Sequence, residues 1–327
     1  MIFLFLPPLY CKRDALRHAL SGGALACASF WCGADSPVAL SVTPVMASDP
    51  APSGIFGKTL CLNANPRVDD GGNAYPRMEA LLGPGAIESP SDRVYTPAKP
   101  HIQERAADGV AGPHFAFMAI EPTDVNQDLV PMEKGGDRSR TEIKLSPQTG
   151  GVHEPFKGLE EDAFVYTWRF KIPLQMKFSP SFTHIHQLKA TGGDFAAPPL
   201  ITFTPLANGT MEFRHVANLR RDSSVVTVLA TTPLEPLVGH WVDAVETVKY
   251  SKTEGFYKLR LTDASGKLLL SIDKSGLQMW RTGAAQIHPK WGIYRKHHAA
   301  LNQHQEDFVY FANFGITRGS IPSSTCR

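Results

Sequence analysis

Three short segments of this chain gather groups that move protons or hold anions: Arg140-Thr141-Glu142-Ile143-Lys144, Thr183-His184-Ile185-His186-Gln187-Leu188-Lys189 and Lys290-Trp291-Gly292-Ile293-Tyr294. Each alternates, and in a strand residues two apart share a face. That places Arg140, Glu142 and Lys144 together, His184 and His186 together with Leu188, and Lys290, Gly292 and Tyr294 together. Gln187 falls on the face opposite the histidines unless a bulge intervenes. Buried imidazoles need partners, so a paired-histidine face suits the floor of a groove better than a core. A neutral imidazole accepts a proton near neutral pH. A phenol normally carries the proton it must donate. An arginine fork grips a carboxylate with two bonds. Gly292 leaves room for a ligand or a neighbouring backbone. Taken singly, the Arg140 and Lys290 stripes also read as strand faces turned to water, and a lone histidine on a strand is more often structural. The two histidines could begin a metal site, but no third ligand converges and no cysteines have metal-ligand spacing. No metal and no cofactor are expected.

These segments need strands to position them, and the surrounding sequence supplies strand signals. Ala163 to Ile172 puts Phe164, Tyr166, Trp168, Phe170 and Ile172 on one face, the stripe of a central strand. Leu200 to Thr204 and Thr210 to Val216 flank Ala207-Asn208-Gly209, a hairpin signal. On the second of these, alternation admits only one of Arg214 and His215 to the groove. Trp241 to Tyr250 is a long strand. Phe256 to Thr262 and Lys267 to Ile272 flank the turn Asp263-Ala264-Ser265-Gly266. Further strands are expected at Phe115 to Ile120, Val225 to Thr231, Gln286 to Tyr294 and Phe308 to Thr317. Residues 48 to about 135 otherwise read as loops and short edge strands. About ten short antiparallel strands without helices indicate an all-β sandwich or jelly roll. Trp291, Trp280 and Tyr257 could stack on a ring-shaped ligand but read first as core. His297, His298 and His304 fall in a polar stretch read as a surface loop.

The chain has 327 residues, 43% hydrophobic and 20% charged, with a formal net charge of +2. It can bury a large core, and its bulk charge does not argue for nucleic acid. Residues 1–47 read as a signal or leader segment, with a cleavage-like Val45-Met46-Ala47 that would leave Ser48 first. Residues 48–327 form one domain, expected to be secreted, monomeric and free of membrane. Cys11, Cys27 and Cys32 lie in the leader. Cys61 and Cys326 remain, near opposite ends, and suit one disulfide in an oxidising compartment; two free thiols are the alternative.

In order and spacing, the three segments resemble motifs of the jelly-roll polysaccharide lyases typified by alginate lyases. Those enzymes carry Arg-Thr/Ser-Glu-Leu-Arg, Gln-Ile/Val-His and Tyr-Phe-Lys-Ala-Gly-x-Tyr-x-Gln strands. Arg140 to Lys144 is similar to the first. His184-Ile185-His186 is similar to the second, with histidine in place of glutamine. Lys290-Trp291-Gly292-Ile293-Tyr294 is similar to the Lys-Ala-Gly-x-Tyr core of the third. His288-Pro289 replaces the preceding Tyr-Phe, and Lys296 the final glutamine. Gly239 to Asp243 and Val248 to Ser251 are similar to a strand of concanavalin-like sandwiches. The resemblance covers about Arg140 to Gly319.

The resemblance implies a concanavalin-like sandwich of two antiparallel sheets with a concave groove. It implies β-elimination on a uronate polymer such as alginate or glucuronan. The adjacent carboxylate must be neutralised before the C5 proton can leave. Arg140 would neutralise it, with Lys144, Lys290 and Arg214 adding field. Glu142 would orient Arg140 or a sugar hydroxyl. His186 takes the position of the base and Tyr294 that of the acid; Tyr294 in both roles is the alternative. His184 would bind the carboxylate where the family has an amide. Two other functions compete: a non-catalytic module binding an anionic polysaccharide, and a glycoside hydrolase, which wants two closely placed carboxyl groups; Glu142 is one candidate, but no Glu-x-Asp-x-x-Glu-like strand accompanies it.

Overall fold

Runs of β-branched and aromatic residues, punctuated by Gly, Pro, Asn and Asp, fold in the computed structural model into sixteen strands, one short α-helix and two single-turn 3-10 helices among the described residues. The structure describes residues 57–65, 71–90, 100–126, 136–220, 223–319 and 326. The leader expected at 1–47 lies outside them.

The larger sheet is built from β1 (Thr59–Leu62), β2 (Gly72–Asn73), β4 (Ile102–Arg105), β5 (His114–Ile120), β7 (Ala163–Lys171), β12 (Trp241–Lys249), β13 (Gly255–Asp263), β14 (Leu268–Leu277) and β16 (Glu306–Arg318). Its order is β14-β13-β12-β7-β16-β5-β4-β2, with β1 also on β16. The smaller sheet comprises β3 (Ile87–Glu88), β6 (Arg138–Lys144), β8 (Thr183–Gly192), β9 (Ile201–Pro205), β10 (Thr210–Arg220), β11 (Ser223–Pro233) and β15 (Ala284–Lys296). Its order is β11-β10-β9-β8-β15-β6-β3. Consecutive neighbours in both sheets pair antiparallel, as expected of a jelly-roll sandwich.

The core lies between the sheets. The β7 stripe Phe164, Tyr166, Trp168 and Phe170 is buried as its alternation predicts. Trp168 meets Trp291 of β15 edge-on, with centroids 5.8 Å apart. Trp291, Trp280 and Tyr257 are all core residues. Both expected hairpins form, and their turns place Gly209 and Gly266 at positive φ, where a side chain would be strained. Cys61 and Cys326 are joined as a disulfide across 265 positions, with Cα atoms 5.4 Å apart.

Two expectations need correction. The stretch before residue 135 holds a helix, α1 (Tyr75–Leu82), as well as several short strands. It is only two turns long, with Met78 and Leu82 as its buried pair, too brief for a periodic signal. Asn73 Oδ1 accepts the Tyr75 N–H at its start, and Gly83 ends it. His297 is also not a surface group. It is buried against Glu121, which also takes Ser139 Oγ and, at 3.0 Å, Arg295 Nε.

Candidate active site

The site lies on the outward face of the smaller sheet, where β6, β15 and β8 run side by side. Register sets its rows. Tyr294 of β15 pairs with Arg140 of β6 on one side and His184 of β8 on the other. One row along, Lys290 pairs with Lys144 and Gln187. Gly292 lies between, opposite Glu142. A Cβ there would collide with the Thr141 carbonyl and sit 2.6 Å from Glu142 Cα. The glycine thus serves the close approach of a neighbouring backbone.

A register slip between β15 and β8 decides which histidine reaches this face. It falls between Trp291 and Tyr294, where two residues of β15, Gly292 and Ile293, span one of β8, Ile185. The slip breaks the strict alternation. His184 stays with Tyr294, Gln187 comes onto the outward face, and His186 turns into the core. The shared histidine face expected from the sequence therefore does not exist. His186 is 0% exposed. Its Nδ1 lies 2.9 Å from the Lys290 carbonyl oxygen and its Nε2 3.0 Å from Glu246 Oε2, across the sandwich on β12. Trp168, Phe203 and Trp291 pack around it. It cannot touch a polymer, so the sequence assignment of His186 as base fails on access.

His184 is partly exposed and placed for chemistry. Its ring stacks on Phe182 at 4.8 Å and lies 6.1 Å from the Tyr294 ring. Nδ1 is 2.9 Å from Thr204 Oγ1, which is 2.9 Å from Thr202 Oγ1. Burial, then the positive charges of Arg214, Arg140 and Lys290, push its pKa down to about 3. The imidazole is neutral at ordinary pH. Arg214 is the member of its dipeptide that faces the site, held by Glu212 at 2.7 Å, whereas His215 is buried against the Gln278 carbonyl.

Tyr294 sits between two guanidinium groups. Arg140 lies over its ring, 3.9 Å from the centroid. Arg138 Nη1 donates to its oxygen at 2.8 Å, while Asp137 holds the other side of Arg138. Because the phenol oxygen accepts from Arg138, its own proton stays available to an incoming group.

Beneath the next row lies a network the sequence reading missed. Glu88, from the two-residue β3, accepts from Arg140 Nη1 at 2.8 Å, from Lys144 Nζ at 2.5 Å and from Lys290 Nζ. Burial would raise the Glu88 carboxyl, but Lys290, Arg140 and Lys144 hold it well below the carboxylate range. Glu142 takes Lys290 at 2.8 Å and accepts from Gln187 Nε2. Lys290 is 2% exposed and Glu142 0%. Neither lies open to substrate as the sequence reading had it, and their action on a ligand is through field and support. Arg140 and Lys144 keep 17% and 18% of their side chains exposed. Arg138 was within reach of sequence reasoning, being two residues before Arg140 on the same alternation. Glu88 gave no such signal. A separate cavity of about 640 Å³ opens on the far face of the larger sheet, beside Arg169 and Asp243, and holds none of these groups.

This two-sheet sandwich, with a cationic face crossed by a tyrosine and a neutral histidine, is the frame of a jelly-roll lyase. A family model described as polysaccharide lyase matches residues 98–315, and the chain belongs to that family. It is an enzyme, a lyase acting on polysaccharides. No curated protein matches the sequence. Among solved structures, the marine PL-14 alginate lyase from Aplysia kurodai aligns at 12% identity and a TM-score of 0.52, covering 80% of this chain and all of that one. Alginate lyase Aly36B aligns at 12% identity and a TM-score of 0.46, covering 82% and 99%. An alginate lyase from Chlorella virus gives 9% identity, 67% and 89% coverage and a TM-score of 0.43.

Proposed function

We propose that this lyase cleaves a uronic-acid polysaccharide by β-elimination, with Arg140, Tyr294 and His184 as its working row. The observation that carries the reading is their register: three adjacent strands bring a carboxylate-binding fork, a phenol and a neutral imidazole together on one face. Arg140 neutralises the uronate carboxylate, assisted by the field of Lys144, Lys290 and Arg214. With Nδ1–H donated to Thr204, His184 presents an unprotonated Nε2 that takes the C5 proton. The electron pair forms the C4–C5 double bond as the 4-O bond breaks. Tyr294 gives its proton to the departing oxygen and is steadied afterwards by Arg138. Tyr294 acting alone in both roles uses the same geometry. Alginate and glucuronan are the first polymers to try; alginate is what the aligned structures are named for.

The disulfide supports secretion into an oxidising compartment, and the substrate is then met outside the cell. The test is a screen of alginate, glucuronan and glycosaminoglycans, followed by the ultraviolet absorbance of unsaturated ends. The wild type should generate them on at least one polymer. Tyr294→Phe should lower the rate by about a hundredfold or more with an unchanged melting temperature. Full activity in that variant removes Tyr294 from the chemistry.

A further inference from the structure

Arg140, Lys144 and Lys290 converge on one carboxylate, Glu88, that arrives from an edge strand only two residues long. Glu142 shares Lys290 from below at 2.8 Å and lies 3.6 Å from Arg140 Nε. Three cations against two carboxylates leave the cluster with a positive excess. Burying so many charges is costly, and well-packed apolar residues would hold an edge strand at least as well. A carboxylate ringed by an arginine fork and two ammonium groups is, however, the arrangement a uronate needs.

Resting on the uronate-lyase reading above, we propose that Glu88 is an internal stand-in for the substrate carboxylate. It occupies the anion subsite until a uronate takes its place on Arg140 and Lys144. The division of labour follows from access. Arg140 and Lys144 are partly exposed and can transfer to an incoming carboxylate. Lys290 is buried and keeps Glu88 after the exchange. Glu88 thereby sets how tightly a uronate is held. Neutral sugars, which bring no charge to replace that of Glu88, gain nothing from the exchange. Without Glu88, the cations would hold the uronate, and an anionic product, more tightly.

Sodium glucuronate is a suitable probe, because it has no 4-O-linked sugar to expel; glucose is its neutral counterpart. Their affinities would be measured by titration calorimetry on the wild type, Glu88→Gln and Glu88→Asp. Glu88→Gln should bind glucuronate about tenfold more tightly than wild type, with no change for glucose. Glu88→Asp keeps the charge but draws it back by one methylene. It should show a smaller gain, about threefold, and reads the same point should the glutamine variant fail to fold. Equal or weaker glucuronate binding in whichever variant folds, or an equal gain for glucose, overturns the stand-in role. That failure is distinct from failure of the uronate reading, which would be a wild type that releases no unsaturated ends from any polyuronate.

Discussion

His184 and His186 are two residues apart and on opposite sides of one sheet. The first meets a row of cations, has a hydroxyl as its hydrogen-bonding partner, and is neutral. The second has both ring nitrogens engaged and three aromatic rings around it. A carbonyl can only accept, so His186 Nδ1 donates to Lys290, and a single proton is held between Nε2 and Glu246. Satisfying both nitrogens is what makes a fully buried imidazole tolerable. The contrast teaches that the same residue type serves reaction or architecture according to a one-residue slip in strand pairing.

Paired substitutions would break this contrast if it is wrong. His184→Asn should lower the elimination rate by about 10²–10⁴-fold while leaving the melting temperature within a few degrees. His186→Ala should do the reverse, lowering stability by roughly 3–5 kcal/mol because Glu246 is left buried without its partner. Chemical denaturation and initial rates on the two variants separate the roles. Equal loss of activity with no loss of stability in His186→Ala would restore it to the chemistry.

Removing the disulfide tests a part of the molecule remote from the pair. Cys61→Ser with Cys326→Ser should cost about 2–5 kcal/mol in urea unfolding, with the rate of the folded enzyme retained.

The remaining test is of pH dependence. His184 and His288 are both held from the ordinary 6.5 down to about 3, by burial first and then by neighbouring cations, Lys290 among them for each. The unfolded chain takes up protons near pH 6.5 that the fold refuses until about pH 3. Stability is therefore full above the unfolded value and falls as pH drops through that window. Melting temperature should decline steadily from pH 7 to 4, and less steeply in His184→Asn. A flat profile there would remove the burial and the cationic surroundings that together keep His184 neutral.

Much of this was legible in advance. The β7 stripe, the two hairpins and the faces of β6 and β15 follow from simple alternation, which holds wherever pairing is regular. Arg140 and Tyr294, singled out by alternation, do fall on one row of the sheet. His186 was misplaced because strict alternation has no way to register a slip, and Gln187 reached the site face by that same slip. Glu246 sits in a stripe with Val242, Ala244 and Val248, and its burial only makes sense with the partner from the other sheet. Glu88 was hidden because a two-residue strand has no period to read.

The bond between Cys61 and Cys326 gives the molecule a different topology from that of an open chain. Almost everything described here lies inside one covalent ring, since β1 and the final cysteine are its clasp beside β16. A single cut in any surface loop between them leaves one molecule, its two pieces still tied and its sheets still paired. Such a cut would show as two bands on a reducing gel and one on a non-reducing gel. Closure of the chain turns a first cleavage from loss into a scar.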